Sequence, residues 1–171
     1  PKPNPKRKAE RRIPIRPRLK RKIPFEFRKG IFGIYGEKYQ MRNNAREAAL
    51  NIIFAKQFNS ECSDTFKKKV YKQFGLQKDE DLLFAADLVA AVEEHGDELL
   101  AKIEDASHHY RANRINPTDK SILLIAMAEI CYFDDIPPVV SVSEAAGLAR
   151  KYSTETSADF VNGLLAGIIN K

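Results

Sequence analysis

The sequence is short of the residues that most often carry chemistry. Its 171 residues include no tryptophan, two cysteines and three histidines. Cys62 and Cys131 lie far apart and form no C-x-x-C pair, which argues against a disulfide framework and suits a reducing, cytoplasmic setting. His108 and His109 are adjacent, so on a helix they point about 100° apart and do not share a metal. His95 stands alone beside Gly96, where a helix C-terminus is expected. No segment approaches the ~18 uninterrupted apolar residues of a bilayer span. Residues 1–12 are charged and Pro-rich without an apolar h-region, so neither a membrane anchor nor a secretory signal is expected. Also missing are G-x-x-x-x-G-K-[ST], G-x-G-x-x-G after a strand, and G-x-S-x-G. The chain therefore reads as a non-enzymatic binding protein, with no catalytic residue, metal site or cofactor expected.

What the chain has in excess is positive charge, +6 overall, and that figure divides sharply. Residues 1–40 carry fourteen Lys/Arg against three Glu, while residues 41–171 carry fifteen bases against twenty acids. The first segment is thus +11 and the second −5. Six of the nine prolines also fall before residue 25. Proline removes amide donors and blocks helix, and like charges repel, so residues 1–40 are expected to form a basic arm, extended or disordered when alone. Such charge hints at nucleic acid or another anionic surface, with Arg11, Arg12, Arg16 and Arg18 as candidate contacts. From residue 23 the arm turns aromatic and Gly-rich, with Phe25, Phe27, Phe32, Tyr35 and Tyr39 among Gly30, Gly33 and Gly36. These rings either pack on the following domain or stack on nucleobases.

From Met41 onward the periodicity is helical and no strand pattern is convincing, which predicts an all-α bundle of about seven helices. The first runs to about Phe58, with Asn44 and Glu47 as a capping box. The next spans Asp64 to Phe74 and stops at Gly75. Two more are expected over 79–94 and 97–106, separated at Gly96. The fifth opens at Pro117 and contains 122–128, apolar on all sides and hence the central helix. The sixth is capped by Ser141 with Glu144, and the seventh starts near Ser157. On this last helix Gly163 and Gly167 are placed to admit a neighbouring backbone.

Arg42 and Arg46 fall at the expected start of the first helix, where cations oppose the helix dipole. The same helix end offers free amides, so phosphate is the natural ligand for the arginines and amides together. The +11 arm would extend one continuous basic track.

These residues also carry a family resemblance. Arg42-Asn43-Asn44-Ala45-Arg46-Glu47-Ala48-Ala49-Leu50 resembles the R-x-x-A-R-E-x-A opening of the NusB transcription antitermination factors. Tyr110-Arg111-Ala112-Asn113-Arg114-Ile115, Asp119-Lys120-Ser121-Ile122-Leu123 and Ala126-Met127-Ala128-Glu129-Ile130 are similar to later segments of that family. Ile136-Pro137-Pro138-Val139-Val140-Ser141-Val142-Ser143-Glu144-Ala145 and Phe160-Val161-Asn162-Gly163-Leu164-Leu165 complete the order over about 41–171. Residues 1–40 lie outside it. The resemblance implies two small helical subdomains, binding of boxA-type RNA with the ribosomal protein NusE, and tethering of that RNA to the RNA polymerase elongation complex in rRNA operon transcription. Its RNA-binding positions map onto Arg42, Asn43, Asn44 and Arg46, with asparagine at two positions often held by arginine. It places Phe54 and Asp119 near the RNA or partner surface, although Phe54 would equally suit the core and Asp119 a helix cap. Some members of the family are homodimers, so a self-associating scaffold with incidental RNA contact is the alternative.

Overall fold

A computed structural model describes residues 28–59, 62–77, 79–107 and 114–170, except for the side chains of 28–41 and 79. Arg11, Arg12, Arg16 and Arg18, and the segment from His108 to Asn113, lie outside the described residues. Six helices follow in order: α1 (Arg28–Phe58), α2 (Asp64–Gln73), α3 (Asp79–Ala106), α4 (Pro117–Tyr132), α5 (Pro138–Tyr152) and α6 (Ser157–Ile169). The all-α class holds, with six helices in place of about seven and no strand among the described residues. α3 runs straight through Gly96. A mid-helix glycine costs about 1 kcal/mol relative to alanine. Leu88, Val92, Leu99 and Ile103 nevertheless form one buried stripe across it, and that burial outweighs the propensity. His95 is accordingly inside a helix, stacked on Tyr132 at 4.4 Å, and not at a C-terminus.

α1 is the larger departure. It begins at Arg28 and not near Met41, so the extended reading of the arm fails over residues 28–40. The last proline of the arm is Pro24, and nothing after it blocks helix until Asn59. Both expected capping boxes are overturned as well. Asn44 lies within α1 and donates from Nδ2 to the Phe74 carbonyl at 3.3 Å. α5 starts at Pro138, a residue whose missing N–H is harmless at the first helical position, and Ser141 turns inward instead.

Other ends follow local chemistry. Asn116 Oδ1 accepts from the Thr118 amide at 2.9 Å, and Pro117 opens α4. Past the end of α2, Gly75 adopts φ 71°. Its amide donates to the Lys72 carbonyl, and the Leu76 amide to that of Tyr71, a Schellman closure with Leu76 buried behind it. Among the described residues nothing lies within 4 Å of a side chain added at Gly163 or Gly167, so none of their backbone approaches there.

α4 is central, packing against α1, α3, α5 and α6, and residues 122–128 are buried on every side. α1 packs with α2 and α3, α5 packs with α6, and through α4 the buried residues form one continuous core. Leu123 is fully buried there. We expect Leu123→Ala to destabilise the fold by about 2–5 kcal/mol, read as a lower urea midpoint with an unchanged slope.

Candidate nucleic-acid interface

The residues expected to bind RNA start on α1 and separate into two classes. Arg46 is 3 % exposed. Its Nε and Nη2 donate to the two carboxylate oxygens of Glu129 on α4, each at 2.7 Å, and its Nη1 donates to Asn43 Oδ1 at 3.3 Å. Ser141 Oγ of α5 donates to Glu129 Oε1 at 2.7 Å, so the carboxylate is satisfied from two helices. Arg46 is therefore a core cation, and its assignment to phosphate contact is corrected. A charge on an all-apolar helix needs a partner, and Glu129 beside the 122–128 run was the signal for one. The argument from free amides falls with it, because α1 does not start at Arg42.

Arg42 remains outward. Its Nη2 pairs with Asp135 Oδ2 at 2.9 Å, with the aspartate 62 % exposed. The guanidinium carbons of Arg42 and Arg46 lie 5.1 and 5.4 Å from the Phe84 ring centroid, and Phe133 meets that ring edge-on at 5.5 Å. An exposed pair of this kind contributes little and is readily exchanged for a phosphate. Asn43 and Asn44 are half-buried and partly engaged in the fold.

Phe54 and Asp119 sit elsewhere. Phe54 is twelve residues from Arg42 on the same helix, on the order of 18 Å along its axis. It is exposed, not in the core, and its ring lies 5.2 Å from that of Phe58, itself 70 % exposed. Gln57 Nε2 ties this end of α1 to α4 through the Pro117 carbonyl, at 2.7 Å, and Ser121 Oγ. Asp119 lies in the first turn of α4 and is buried; Oδ2 accepts from Ser157 Oγ at 2.8 Å. Oδ1 is buried with no hydrogen-bond partner among the described residues. It helps line a cavity of about 360 Å³ together with Arg114, Asn116, Thr154, Thr156 and Phe160. Sequence reasoning missed this pocket, whose walls come from the starts of α4 and α6 and the turn between α5 and α6. Such a site, with a lone carboxylate acceptor, an exposed cation, hydroxyls and the half-buried Phe160 ring, suits a donor-bearing base edge with its phosphate.

Acids neutralise cations over much of the remaining surface. Glu93 holds Lys56 and Lys67 at 2.8 and 2.9 Å; burial works against its ionised form, but the two lysines win and its carboxyl titrates below the usual range. Glu47 accepts from Lys151 Nζ at 2.6 Å and Tyr152 Oη at 2.7 Å. Glu144 is opposite in sign. Burial pushes its carboxyl up, Arg46 pulls it down and Glu129 pushes it up further, leaving it raised.

Among known proteins, the NusB family profile matches residues 43–170. The chain is 31% identical over 130 residues to the transcription antitermination protein NusB of Finegoldia magna, covering 76% of this chain and 94% of the relative. With the NusB of Desulforudis audaxviator the identity is 35% over 130 residues, with the same coverages. In fold, it is similar to a solved structure of the antitermination factors NusB and NusE in complex with dsRNA, at TM-score 0.69 and 22% identity, over 76% of this chain and 96% of that one. A T. maritima NusB structure aligns at TM-score 0.67 and 23% identity, over 76% and 91%.

Two outcomes test this geometry. Glu129→Gln strands the Arg46 charge in the core and should destabilise the fold by about 3–5 kcal/mol, whereas Arg46→Met with Glu129→Leu recovers most of that loss in urea melts. Glu144→Gln should raise Tm at pH 8. A carboxyl with a raised folded pKa favours the fold only when protonated, so the gain should vanish as pH falls below the ordinary glutamate range, ~4.3.

Proposed function

The chain belongs to the NusB family, and from that premise we propose that it is a transcription antitermination factor that binds boxA-type RNA together with NusE and tethers it to elongating RNA polymerase in rRNA operons. The observation that carries the reading is the face formed where α1 ends and α4 and α6 begin. There, a polar pocket holds a buried carboxylate oxygen with no partner among the described residues, and the end of α1 that carries the exposed Phe54 and Phe58 is tied to the start of α4 through Gln57. Phe54 and Phe58 offer ring faces to unstacked bases, as single-stranded RNA requires. Asp119 Oδ1 accepts from an exocyclic amine or ring N–H, and Arg114 meets the adjoining phosphate. Arg42 and Asn43, at the other end of the described part of α1, meet phosphate further along the strand. Arg46 keeps the helix carrying them in register and does not touch RNA.

NusE, as the family's partner, supplies further RNA surface alongside. The four arm arginines 11, 12, 16 and 18 would join the track as phosphate contacts. Nothing in this mechanism transforms a substrate: the protein holds RNA by stacking, base-edge hydrogen bonds and charge.

The test is affinity for boxA-type against scrambled single-stranded RNA, with NusE present. We expect Phe54→Ala to weaken boxA binding about 5- to 150-fold, the range set by ~1–3 kcal/mol per stacked base, while the loss of its covered surface should lower urea stability by only about 1–2 kcal/mol and leave the protein folded. Equal affinity for the two RNAs, or no effect of Phe54→Ala, would overturn the reading.

A further inference from the structure

The two ends of this surface are separated by the length of α1 between Arg42 and Phe54, and Arg46, the cation between them, is taken by Glu129. Along with α3 and α4, α2 lies against that interval, on the side marked by Asn44 and Lys56. It runs antiparallel to α1. Near its start, Lys67 shares Glu93 with Lys56, and beyond its end the Phe74 carbonyl accepts from Asn44. Val70 and Tyr71 are its buried residues and define the face turned to the body. Lys68, Lys69 and Lys72 lie on the opposite face, all exposed, at i, i+1 and i+4.

These three lysines, clustered on one helix face, differ from the paired lysines of the body. Lys56, Lys67, Lys102 and Lys151 each have a carboxylate within 2.9 Å. Among the described residues, Lys68, Lys69 and Lys72 form no ion pair. The one acid of α2, Asp64, sits in its first turn, a full turn or more away. Like charges four residues apart, with side chains ~5–6 Å from each other, disfavour the helix slightly. Such a stripe stands out on a body whose net charge is −5. Aligned compact ammonium groups along one ridge suit a chain of phosphates, each met as a point charge without regard to base identity.

We propose that Lys68, Lys69 and Lys72 form a phosphate-contacting ridge on α2 that carries the RNA backbone between the Phe54 end and the Arg42 end of the surface. The proposal rests on the RNA-binding reading above and adds to it a sequence-independent segment of the track. Its contribution is to affinity and salt dependence, and the choice of sequence stays with the aromatic and pocket end.

The experiment uses the full chain with NusE, so that the arm contributes equally throughout. Labelled boxA-type and scrambled single-stranded RNA are titrated at several KCl concentrations against wild type and Lys68→Gln/Lys69→Gln/Lys72→Gln. Each phosphate neutralised contributes about −0.7 to the slope of log K against log salt for single strands. The triple variant should therefore lose about 2 units of slope and bind both RNAs more weakly by a common factor. Its Tm should be unchanged or slightly raised, since repulsion is relieved and glutamine is as helix-compatible as lysine. A Lys102→Gln/Arg150→Gln control should leave the slope in place; an equal loss per charge there would mean net charge alone acts and would overturn the ridge. If the triple variant binds boxA RNA with the wild-type slope, the ridge is wrong while the RNA reading stands. If wild type fails to prefer boxA RNA, the RNA reading itself falls. Loss of binding to phosphatidylserine vesicles with an unchanged RNA slope would assign the ridge to a lipid surface and overturn it as an RNA contact.

Discussion

The bundle is organised around one charge pair in its interior. Arg46 and Glu129 are both almost fully buried and meet through two 2.7 Å hydrogen bonds, a geometry that suits the planar guanidinium fork and not an ammonium. Removing two such ions from water is costly, and the arrangement is tolerable because each guanidinium nitrogen and each carboxylate oxygen has a partner: Asn43 takes the third arginine nitrogen and Ser141 also donates to a carboxylate oxygen. The contacts come from α1, α4 and α5, and Phe84 of α3 lies against the guanidinium. One buried polar cluster thus ties four helices together inside a core that is otherwise apolar, while the other polar links among them, such as Gln57 to Pro117 and Lys56 to Glu93, lie nearer the surface.

That tie decides what reaches the surface. With α1 held at Arg46, Arg42 is turned out beside Asp135 at one end, and Phe54 and Phe58 are turned out at the other. The same constraint removes a cation from the outside of a body that is already acidic. Among the described residues, the positive charge outside ion pairs is left at Lys68, Lys69 and Lys72 of α2, and at Arg114, Lys120 and Arg150.

Much of the fold was legible in the sequence, for local reasons. The apolar run 122–128 allowed only a central helix, Pro117 and Gly75 marked ends through backbone chemistry, and Ser157 opened α6 as expected. The misreadings share a cause. Gly96 and the Asn44 and Ser141 pairs looked like terminators because a boundary was judged from a few residues. At Gly96 a buried apolar stripe carried the helix on, upstream of Asn44 no proline interrupts α1 after Pro24, and α5 opens at Pro138 ahead of Ser141. The site was less legible. Arg46 looked like a surface arginine because its partner lies 83 residues away, and the Asp119 pocket is assembled from segments 38 residues apart. Long-range pairings of this kind leave no periodicity in the sequence; a lone glutamate at the edge of an apolar helix was the one hint.

α1 carries a last consequence. Because it is a single helix from Arg28 to Phe58, its first fourteen residues are joined to the bundle by a rod and not by a tether. A flexible linker would let an attached segment sample a sphere of positions and would supply an effective concentration that falls with linker length. A helix instead assigns each position of that segment both a distance along the axis and an azimuth around it, at 100° per residue. Whatever docks on the leading turns of α1 is thereby presented to the bundle at a set angle, and a one-residue insertion near Met41 would swing that angle by more than a quarter of a circle.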